Sequence, residues 1–150
     1  MKIVLQRVKE ASVEIENKIS GTINKGLLIF LGIEHEDGQE DIDWLVKKII
    51  HLRVFPDEQG KMNLSLKDIE GELLVVSQFT LHASVKKGNR PSFTKSAKPE
   101  LAKKLYEDFL ETLQNDTITK IQTGRFGADM QVLLINDGPL TFILDSKVKL

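Results

Sequence analysis

The amino-acid sequence predicts an α+β fold in which a mostly antiparallel, barrel-like β-sheet carries two helices packed on its outside. About eight segments have strand-like patterns, and most of them follow one another with only short turns between. Only two segments have the three-and-four spacing of apolar residues that marks an amphipathic helix. The 150 residues contain no linker or internal repeat, so we expect a single domain spanning residues 1–150.

The first part of the chain contains four strand-like segments. Residues 2–8 and 11–16 both alternate between apolar and polar side chains. Residues 19–23 follow after a short polar turn, so the second and third segments are predicted to form a hairpin. Residues 27–33 are an unbroken apolar run, which is typical of a strand buried on both faces.

Two segments are predicted to be helices. The first begins with Glu40, Asp41 and Asp43, and acidic side chains stabilise the positive end of a helix. Metal binding by these carboxylates is the alternative, and the helix start is the simpler interpretation. The second helix begins at Pro99, a residue that suits the first helical turn. The apolar positions that define the two helices are Ile42, Leu45, Val46, Ile49 and Ile50, and then Leu101, Ala102, Leu105, Tyr106, Phe109, Leu110 and Leu113.

The remaining strands are predicted on both sides of the second helix in the sequence. Residues 53–55 form a short strand before a turn rich in polar residues, and residues 72–77 form a strong one. Three more strands follow the second helix, at residues 117–122, 130–135 and 140–144.

Composition and charge exclude several classes of protein. Hydrophobic residues make up 41% of the chain and charged residues 29%, values that are normal for a globular domain. No apolar run approaches the roughly 18 residues of a membrane-spanning helix, and the N-terminal segment does not resemble a signal peptide. The chain has no cysteine, which excludes disulfides, thiolate metal sites and cysteine nucleophiles. We expect neither a metal nor a cofactor.

Positive charge is concentrated in one segment, although the net charge of −1 gives no global case for nucleic-acid binding. Residues 73–99 contain no Asp or Glu, and their cations are Lys86, Lys87, Arg90, Lys95 and Lys98. Such a segment is either a solvated surface loop or a contact for nucleic acid, and the charge pattern alone does not decide between the two.

A conventional catalytic site is not evident. His35, His51 and His82 are scattered without the spacing of metal ligands, and no nucleotide-binding or serine-hydrolase motif occurs. His82 follows Thr80 closely and could act as a base, but no third, orienting group can be named. The glycines of residues 124–127 (Gly-Arg-Phe-Gly) either cradle a phosphate or simply permit a turn.

Two short segments stand out from the strand pattern. Residues 77–81 (Ser-Gln-Phe-Thr-Leu) place two hydroxyls and a carboxamide at the end of a buried strand, where many folds contact ligands. The alternative is that Gln78 and Thr80 lie on the wet face of the strand. Residues 136–141 (Asn-Asp-Gly-Pro-Leu-Thr) join two apolar strands, either as an ordinary hairpin turn or as a turn that presents main-chain carbonyls.

At these segments, and at several others, the chain resembles the D-aminoacyl-tRNA deacylase (D-tyrosyl-tRNA deacylase) family. The matching motifs run in order from residue 1 to about residue 145, and only residues 146–150 carry no signature. They are residues 5–8 (Leu-Gln-Arg-Val), 61–65 (Lys-Met-Asn-Leu-Ser), 77–80, 87–93 (Lys-Gly-Asn-Arg-Pro-Ser-Phe), 123–130 (Thr-Gly-Arg-Phe-Gly-Ala-Asp-Met) and 136–141.

The resemblance implies roles for particular residues. Ser77, Gln78 and Thr80 would form the catalytic motif, and Phe79 and Met130 would contact the aminoacyl end of tRNA. Gly138 and Pro139 would form a cis-peptide motif that enters the pocket of the partner subunit, with Arg7 supporting their turn. Given a tRNA substrate, the isolated positive charge of the acid-free segment predicts phosphate contacts from Lys86, Lys87 and Arg90, together with Lys95 and Lys98.

The implied protein is a homodimeric cytoplasmic enzyme that hydrolyses the ester of D-aminoacyl-tRNA. It would reject L-aminoacyl-tRNA and also cleave glycyl-tRNA, because glycine has no side chain to exclude. The role of Thr80 stays open between nucleophile, water positioner and hydrogen-bond donor, and we favour the non-covalent roles. Two other classes remain as alternatives, namely a tRNA-binding module without catalysis and a small-molecule esterase that pairs Thr80 or Ser77 with His82.

Overall fold

Two helices and eight strands make up the fold of this protein in a computed structural model that describes residues 1–149. Leu150, the last residue of the expected domain, lies outside the described residues. The elements are β1 (Lys2–Ile15), β2 (Lys18–Ile23), β3 (Gly26–Gly32), α1 (Gln39–His51), β4 (Phe55–Pro56), β5 (Met62–Leu64), β6 (Glu72–Ser77), a 3-10 turn (Phe79–His82), α2 (Pro99–Asp116), β7 (Ile121–Thr123) and β8 (Gln131–Asp145). Within the described part of the chain, no helix is both long and apolar enough to cross a membrane.

Six of the strands form one mixed sheet, which confirms the prediction of a barrel-like α+β fold with two helices. Its strand order is β2-β1-β3-β6-β7, and β8 pairs with β1. β1 is antiparallel to β2, β3 and β8, whereas β6 is parallel to both β3 and β7. The parallel pairings follow from the two helices, because each helix carries the chain back to the side of the sheet where the next parallel strand must begin.

The sheet curves until its two ends meet at a seam between β2 and β7. No ladder of main-chain hydrogen bonds joins the two strands in the described residues. Instead, the Ser20 hydroxyl of β2 donates a hydrogen bond of 3.1 Å to the main-chain oxygen of Thr123 in β7. The barrel is therefore nearly closed, as β2 and β7 lie side by side without a shared ladder.

The core consists of two apolar clusters on the two faces of this curved sheet. β3 shows the division, because Leu27 and Ile29 belong to the cluster under the helices, whereas Leu28 faces the interior of the curved sheet. All three side chains are fully buried, which confirms the prediction that this strand is covered on both faces. The apolar stripes of α1 and α2 complete the first cluster, with Phe109 of α2 at its centre among the fully buried residues.

Several element boundaries differ from the prediction. Residues 2–8 and 11–16 are not two strands but the single strand β1, which bends at register shifts and pairs with β8 along nearly its whole length. The strands predicted at 130–135 and 140–144 likewise merge into the single strand β8, which begins at Gln131, so residues 136–141 are not a hairpin turn. β7 starts at Ile121 rather than at residue 117, and the short strand expected at 53–55 is at Phe55–Pro56. The alternation of apolar and polar residues locates the strands in the sequence, but pairing with the neighbouring strand determines where each strand ends.

The acidic residues at the start of α1 stabilise the helix, as the simpler interpretation predicted. The Asp41 carboxylate accepts a 2.9 Å hydrogen bond from the main-chain N–H of Gly38, the residue before the helix. It also accepts hydrogen bonds from the Ser146 hydroxyl at 2.6 Å and the Lys147 ammonium at 2.9 Å. Burial alone would raise the pKa of Asp41, but the hydrogen bonds from Ser146, Lys147 and Gly38 outweigh it and hold that pKa below its ordinary value.

Candidate functional site

A cavity of about 620 Å³ opens where β6 ends. Three segments form its walls, namely the end of β6 with the turn that follows, the segment that leads into the first turn of α2, and the segment just before β8 together with its first residues. The lining residues are Val76, Ser77, Gln78, Phe79, Phe93, Ser96, Ala97, Lys98, Pro99, Ala102, Phe126, Gly127, Ala128, Met130 and Val132.

The first wall brings Ser77, Gln78 and Phe79 together at the end of β6. Ser77 is the last residue of β6, and the N–H of Gln78 donates a 2.8 Å hydrogen bond to the oxygen of Leu31, which ends the ladder with β3. The chain then enters the 3-10 turn, which begins at Phe79 and is not the continued strand that the alternative interpretation requires. A helical turn leaves its first N–H groups without a partner inside the turn, so those of Phe79 and Thr80 are not hydrogen-bonded within it.

Thr80 is connected to this wall by one side-chain hydrogen bond. Its side chain is exposed and is not among the residues that line the cavity. The Gln78 carboxamide Nε2 donates a short hydrogen bond to Thr80 Oγ1. The structure therefore places Ser77 and Gln78 at the cavity and connects Thr80 to it through Gln78.

His82 is not placed to act as a base on either hydroxyl. Its side chain is almost completely buried, and Nδ1 lies 2.8 Å from Oε1 of Glu34. The other ring nitrogen, Nε2, is buried and has no hydrogen-bond partner among the described residues. The histidine–hydroxyl pair that an esterase with His82 would need is thus not assembled in residues 1–149.

Two phenylalanines form an aromatic edge of the cavity. The rings of Phe79 and Phe93 meet edge to face, with their centroids 5.0 Å apart. Phe79 is 57% exposed, and its main-chain oxygen accepts a 3.1 Å hydrogen bond from the Ser96 hydroxyl. Sequence reasoning missed Phe93 as a site residue, although it ends one of the family-like motifs.

The third wall contains Met130, which the resemblance placed near the substrate, and Phe126, which it did not single out. Phe126 packs on Tyr106 of α2 with the two ring centroids 5.7 Å apart. The Tyr106 hydroxyl donates a 3.2 Å hydrogen bond to the oxygen of Val75 in β6, and burial raises the pKa of Tyr106 to about 12. Tyr106 is therefore neutral at physiological pH and connects this wall to β6. Residues 124–127 thus contribute to a cavity wall through Phe126 and Gly127.

The segment with Gly138 and Pro139 forms a wide bulge in β8. Gln6 pairs with Thr141 and Val8 with Asn136, so four residues of β8 (137–140) lie opposite the single residue Arg7 of β1. The Gly138–Pro139 peptide bond is cis, as the resemblance predicted, and Gly138 has a φ of +132°. Both residues are exposed, and neither lines the cavity of the same chain.

The side chain of Arg7 links this bulge to the rest of the fold through hydrogen bonds. Its Nε donates a 3.1 Å hydrogen bond to the main-chain oxygen of Asp137, and the same nitrogen lies 3.4 Å from the Asp137 carboxylate. Its Nη1 donates a 2.6 Å hydrogen bond to the oxygen of Val54. The side chain of Arg7 is only 12% exposed, and it forms a partly buried link between β1, the β8 bulge and the segment that precedes β4.

The basic residues of the loop after the 3-10 turn are exposed and lie away from the cavity wall. Ser84 and Ser92 exchange main-chain hydrogen bonds of 2.8 and 2.9 Å, and the loop between them carries Lys86, Lys87 and Arg90. Of the five cations in the acid-free segment, only Lys98 lines the cavity. Among residues 1–149 there is no cluster of three or more histidine or carboxylate side chains arranged to hold a metal ion.

Comparison with protein families and curated sequences gives consistent matches over the whole chain. The family model described as D-Tyr-tRNA(Tyr) deacylase matches residues 4–145. A protein of Flavobacterium psychrophilum named D-aminoacyl-tRNA deacylase is 60% identical over 149 residues, which are 99% of each chain. A Thermosipho africanus protein of the same name is 58% identical over 147 residues, which are 98% of each chain.

Two solved structures share the fold. One, titled c-Myc DNA Unwinding Element Binding Protein, superposes with a TM-score of 0.92 and 44% identity, covering 97% of this chain and 98% of its own. The other is titled as a structural analysis of a probable eukaryotic D-amino acid tRNA deacylase. It superposes with a TM-score of 0.79 over 95% of this chain and 97% of its own, and at 17% identity it supports the fold alone.

Proposed function

Because this chain belongs to the D-Tyr-tRNA(Tyr) deacylase family, we propose that it is an enzyme that hydrolyses the ester joining a D-amino acid to tRNA. The family match confirms the resemblance drawn from the sequence motifs. The observation that carries the proposal beyond family membership is the cavity of about 620 Å³ at the end of β6, which Ser77, Gln78 and Phe79 help to line.

This cavity suits a reaction that needs positioning more than a strong nucleophile. An aminoacyl ester is an activated bond, and the neighbouring 2′-hydroxyl of the terminal ribose can assist its hydrolysis. As water attacks, the ester carbonyl oxygen becomes an oxyanion, which the N–H groups of Phe79 and Thr80 would stabilise. Gln78 would orient the Thr80 hydroxyl toward the attacking water, so Thr80 acts without a covalent intermediate.

Chirality would be read by main-chain groups of Gly138 and Pro139. In this proposal the β8 bulge of one subunit enters the cavity of its partner, and its carbonyls occupy the space that an L side chain would need. Support comes from the exposure of both residues and from Arg7, which fixes the bulge through Asp137. Since glycine has no side chain to exclude, glycyl-tRNA would also be cleaved.

A homodimer follows from this arrangement, because each cavity is completed by the other chain. One face of β8 supports it, since Leu133 and Ile135, two residues apart, are 52% and 49% exposed on a strand that pairs only with β1 in the described residues. Contiguous exposed apolar residues of this kind mark interfaces. Sedimentation of the active protein should give a dimer, and a fully active monomer at assay concentration would contradict the proposal.

Lys86, Lys87 and Arg90 would contact phosphates of the bound tRNA. Their side chains are exposed in a segment without acidic residues, so little competes with a phosphate for their charge. Replacing Lys86 and Lys87 with alanine should weaken tRNA binding and lower the slope of log affinity against log salt by about 0.9 for each duplex phosphate that is no longer neutralised. An unchanged slope would rule out this role. Since aminoacyl-tRNA is used in the cytoplasm, the enzyme would act there.

The decisive experiment compares three substrates, namely matched D-aminoacyl-tRNA, L-aminoacyl-tRNA and a simple p-nitrophenyl ester. The proposed enzyme cleaves only the D-aminoacyl ester of tRNA. Cleavage of the p-nitrophenyl ester would favour a small-molecule esterase. Binding of both tRNAs without cleavage of either would favour a non-catalytic tRNA-binding module, the second candidate, which the exposed basic loop supports.

A further inference from the structure

A second cleft, of about 380 Å³, lies at the C-terminal end of α1, and the function proposed above does not use it. Six residues line it, and four of them carry a cation or an imidazole. They are Trp44, Lys47, Lys48, His51, Leu52 and Arg53.

The cations of this cleft are free to bind an anion. None of the ion pairs within residues 1–149 includes Lys47, Lys48 or Arg53. The Lys48 ammonium lies 5.6 Å from the centre of the Trp44 ring, which steadies it by a cation–π contact without neutralising it. Arg53 donates one hydrogen bond, of 3.0 Å, to the Asn63 side chain, and a guanidinium has five N–H donors.

Two carboxylates close to this cleft accept hydrogen bonds from neutral groups that do not line it. Asp43, one turn before Lys47 on α1, accepts a 2.8 Å hydrogen bond from the Gln39 carboxamide. Asp68, which is close enough for the charge of His51 to act on it, accepts hydrogen bonds of 2.8 Å from both the N–H and the hydroxyl of Ser65. Neither carboxylate forms an ion pair with Lys47, Lys48 or Arg53 among the described residues.

Stabilisation of the C-terminal end of α1 explains only some of the cations that line this cleft. Cations in the last turn of a helix interact favourably with its dipole, which accounts for Lys48 and His51. Arg53 lies beyond the end of α1, and its planar fork matches two oxygens of a phosphate. Two lysines, an arginine and an indole around one cleft are the groups that proteins use to hold a nucleic-acid backbone.

We propose that this cleft binds the phosphate backbone of tRNA outside the aminoacylated 3′ end. The identity of the RNA rests on the function proposed above, whereas the binding of phosphate rests on the cleft alone. Lys47, Lys48 and Arg53 contact phosphate oxygens, and Trp44 lies against the same stretch of backbone. This gives the tRNA a contact on α1 that is separate from the basic loop of residues 84–92.

The position of Trp44 makes the proposal directly measurable, because it is the only tryptophan in the chain. Titration of the protein with uncharged tRNA should change the tryptophan fluorescence in a saturable way. In the variant with both Lys47→Ala and Lys48→Ala, the affinity should fall, and the slope of log affinity against log salt should decrease by about 0.9 for each duplex phosphate that the two lysines neutralise.

A matched control exists on α2. Lys103 and Lys104 are also adjacent exposed lysines on a helix, but they already pair with Glu107 and Asp108 at 3.8 and 2.6 Å. The variant with Lys103→Ala and Lys104→Ala should bind tRNA with the affinity and salt slope of the unchanged protein. Equal effects of the two double variants, or tryptophan fluorescence that does not respond to tRNA, would overturn the proposal. Uncharged tRNA carries no ester, so these results do not depend on whether the protein is a deacylase.

Discussion

Arg7 offers the sharpest test of how the β8 bulge is held. Replacement by methionine keeps an unbranched apolar stem but removes the guanidinium, and with it the hydrogen bonds to the oxygens of Asp137 and Val54. The main-chain oxygens of Asp137 and Val54 would then lack the charged hydrogen-bond donor that they have in a partly buried environment. The bulge of residues 137–140 would lose its link to β1, although the strands on either side of it would keep their ladder.

The size of the effect follows from those two hydrogen bonds. A hydrogen bond to a charged group contributes about 1.5–3 kcal/mol, and the partial exposure of the pair with Asp137 reduces what its charge adds. We therefore expect Arg7→Met to lower the free energy of unfolding by about 2–4 kcal/mol. A bulge that is no longer fixed should also discriminate less well between D- and L-aminoacyl-tRNA.

The control is Lys2→Met on the same strand. Lys2 pairs with Asp145 of β8 at 3.6 Å, but both side chains are about a quarter or more exposed, and exposed pairs contribute about 0–1 kcal/mol. Urea unfolding measures the stability of both variants, and deacylation of matched D and L substrates measures selectivity. If the two variants were destabilised equally and kept the same selectivity, Arg7 would not be the support of the bulge.

Three further predictions concern single side chains. Gly138→Ala should cost about 1–3 kcal/mol in urea unfolding and slow cleavage of D-aminoacyl-tRNA, because an L residue is strained at a φ of +132° and its Cβ would lie 2.9 Å from Nη2 of Arg7. Unchanged stability and activity would contradict this. Thr80→Ala should reduce kcat by less than about 100-fold, the lower end of the cost of losing a positioned acid–base group, and complete inactivation would indicate a covalent role. Asp41→Asn should destabilise the protein at neutral pH. Because the folded-state pKa of Asp41 is below the ordinary value of 3.8, its contribution is present above that value and is lost as the pH falls through the folded-state pKa. The difference between the unchanged protein and Asp41→Asn in thermal melts should therefore shrink in acid, and a constant difference would count against this linkage.

The parts of the fold that the sequence predicted are those determined by local periodicity. The apolar stripe of α1 and the polar end of β6 are properties of neighbouring residues, so the helix and the cavity wall with Ser77 and Gln78 could be located without coordinates. The bulge in β8 could not, because a Gly-Pro pair between apolar runs has the same local pattern in a hairpin turn. Only the pairing of β8 with the continuous strand β1 shows that the chain does not turn back.

The parts of the site that the sequence did not predict depend on contacts between segments that are far apart in the sequence. Phe93 reaches the cavity because its loop is closed by the exchange of hydrogen bonds between Ser84 and Ser92 and by the bridge between Glu34 and Ser96. Nothing in the residues around Phe93 indicates that closure. Conversely, His82 was a candidate base by its position in the sequence, and only its burial against Glu34 removes it from that role.

The seam between β2 and β7 has a consequence for how the protein behaves at high concentration. An exposed strand edge is a template on which another chain can add a strand, and it is a common route to aggregation. Here the two edges cover one another, and their close approach depends on a small residue, since a Cβ at Gly21 would lie 3.0 Å from the oxygen of Thr123. A side chain at that position would require the two edges to move apart by a few tenths of an ångström, which would weaken the cover that each edge gives the other. Gly21 therefore keeps two strand edges that share no ladder in close contact, and an edge that is covered in this way is less available for pairing with another copy of the chain.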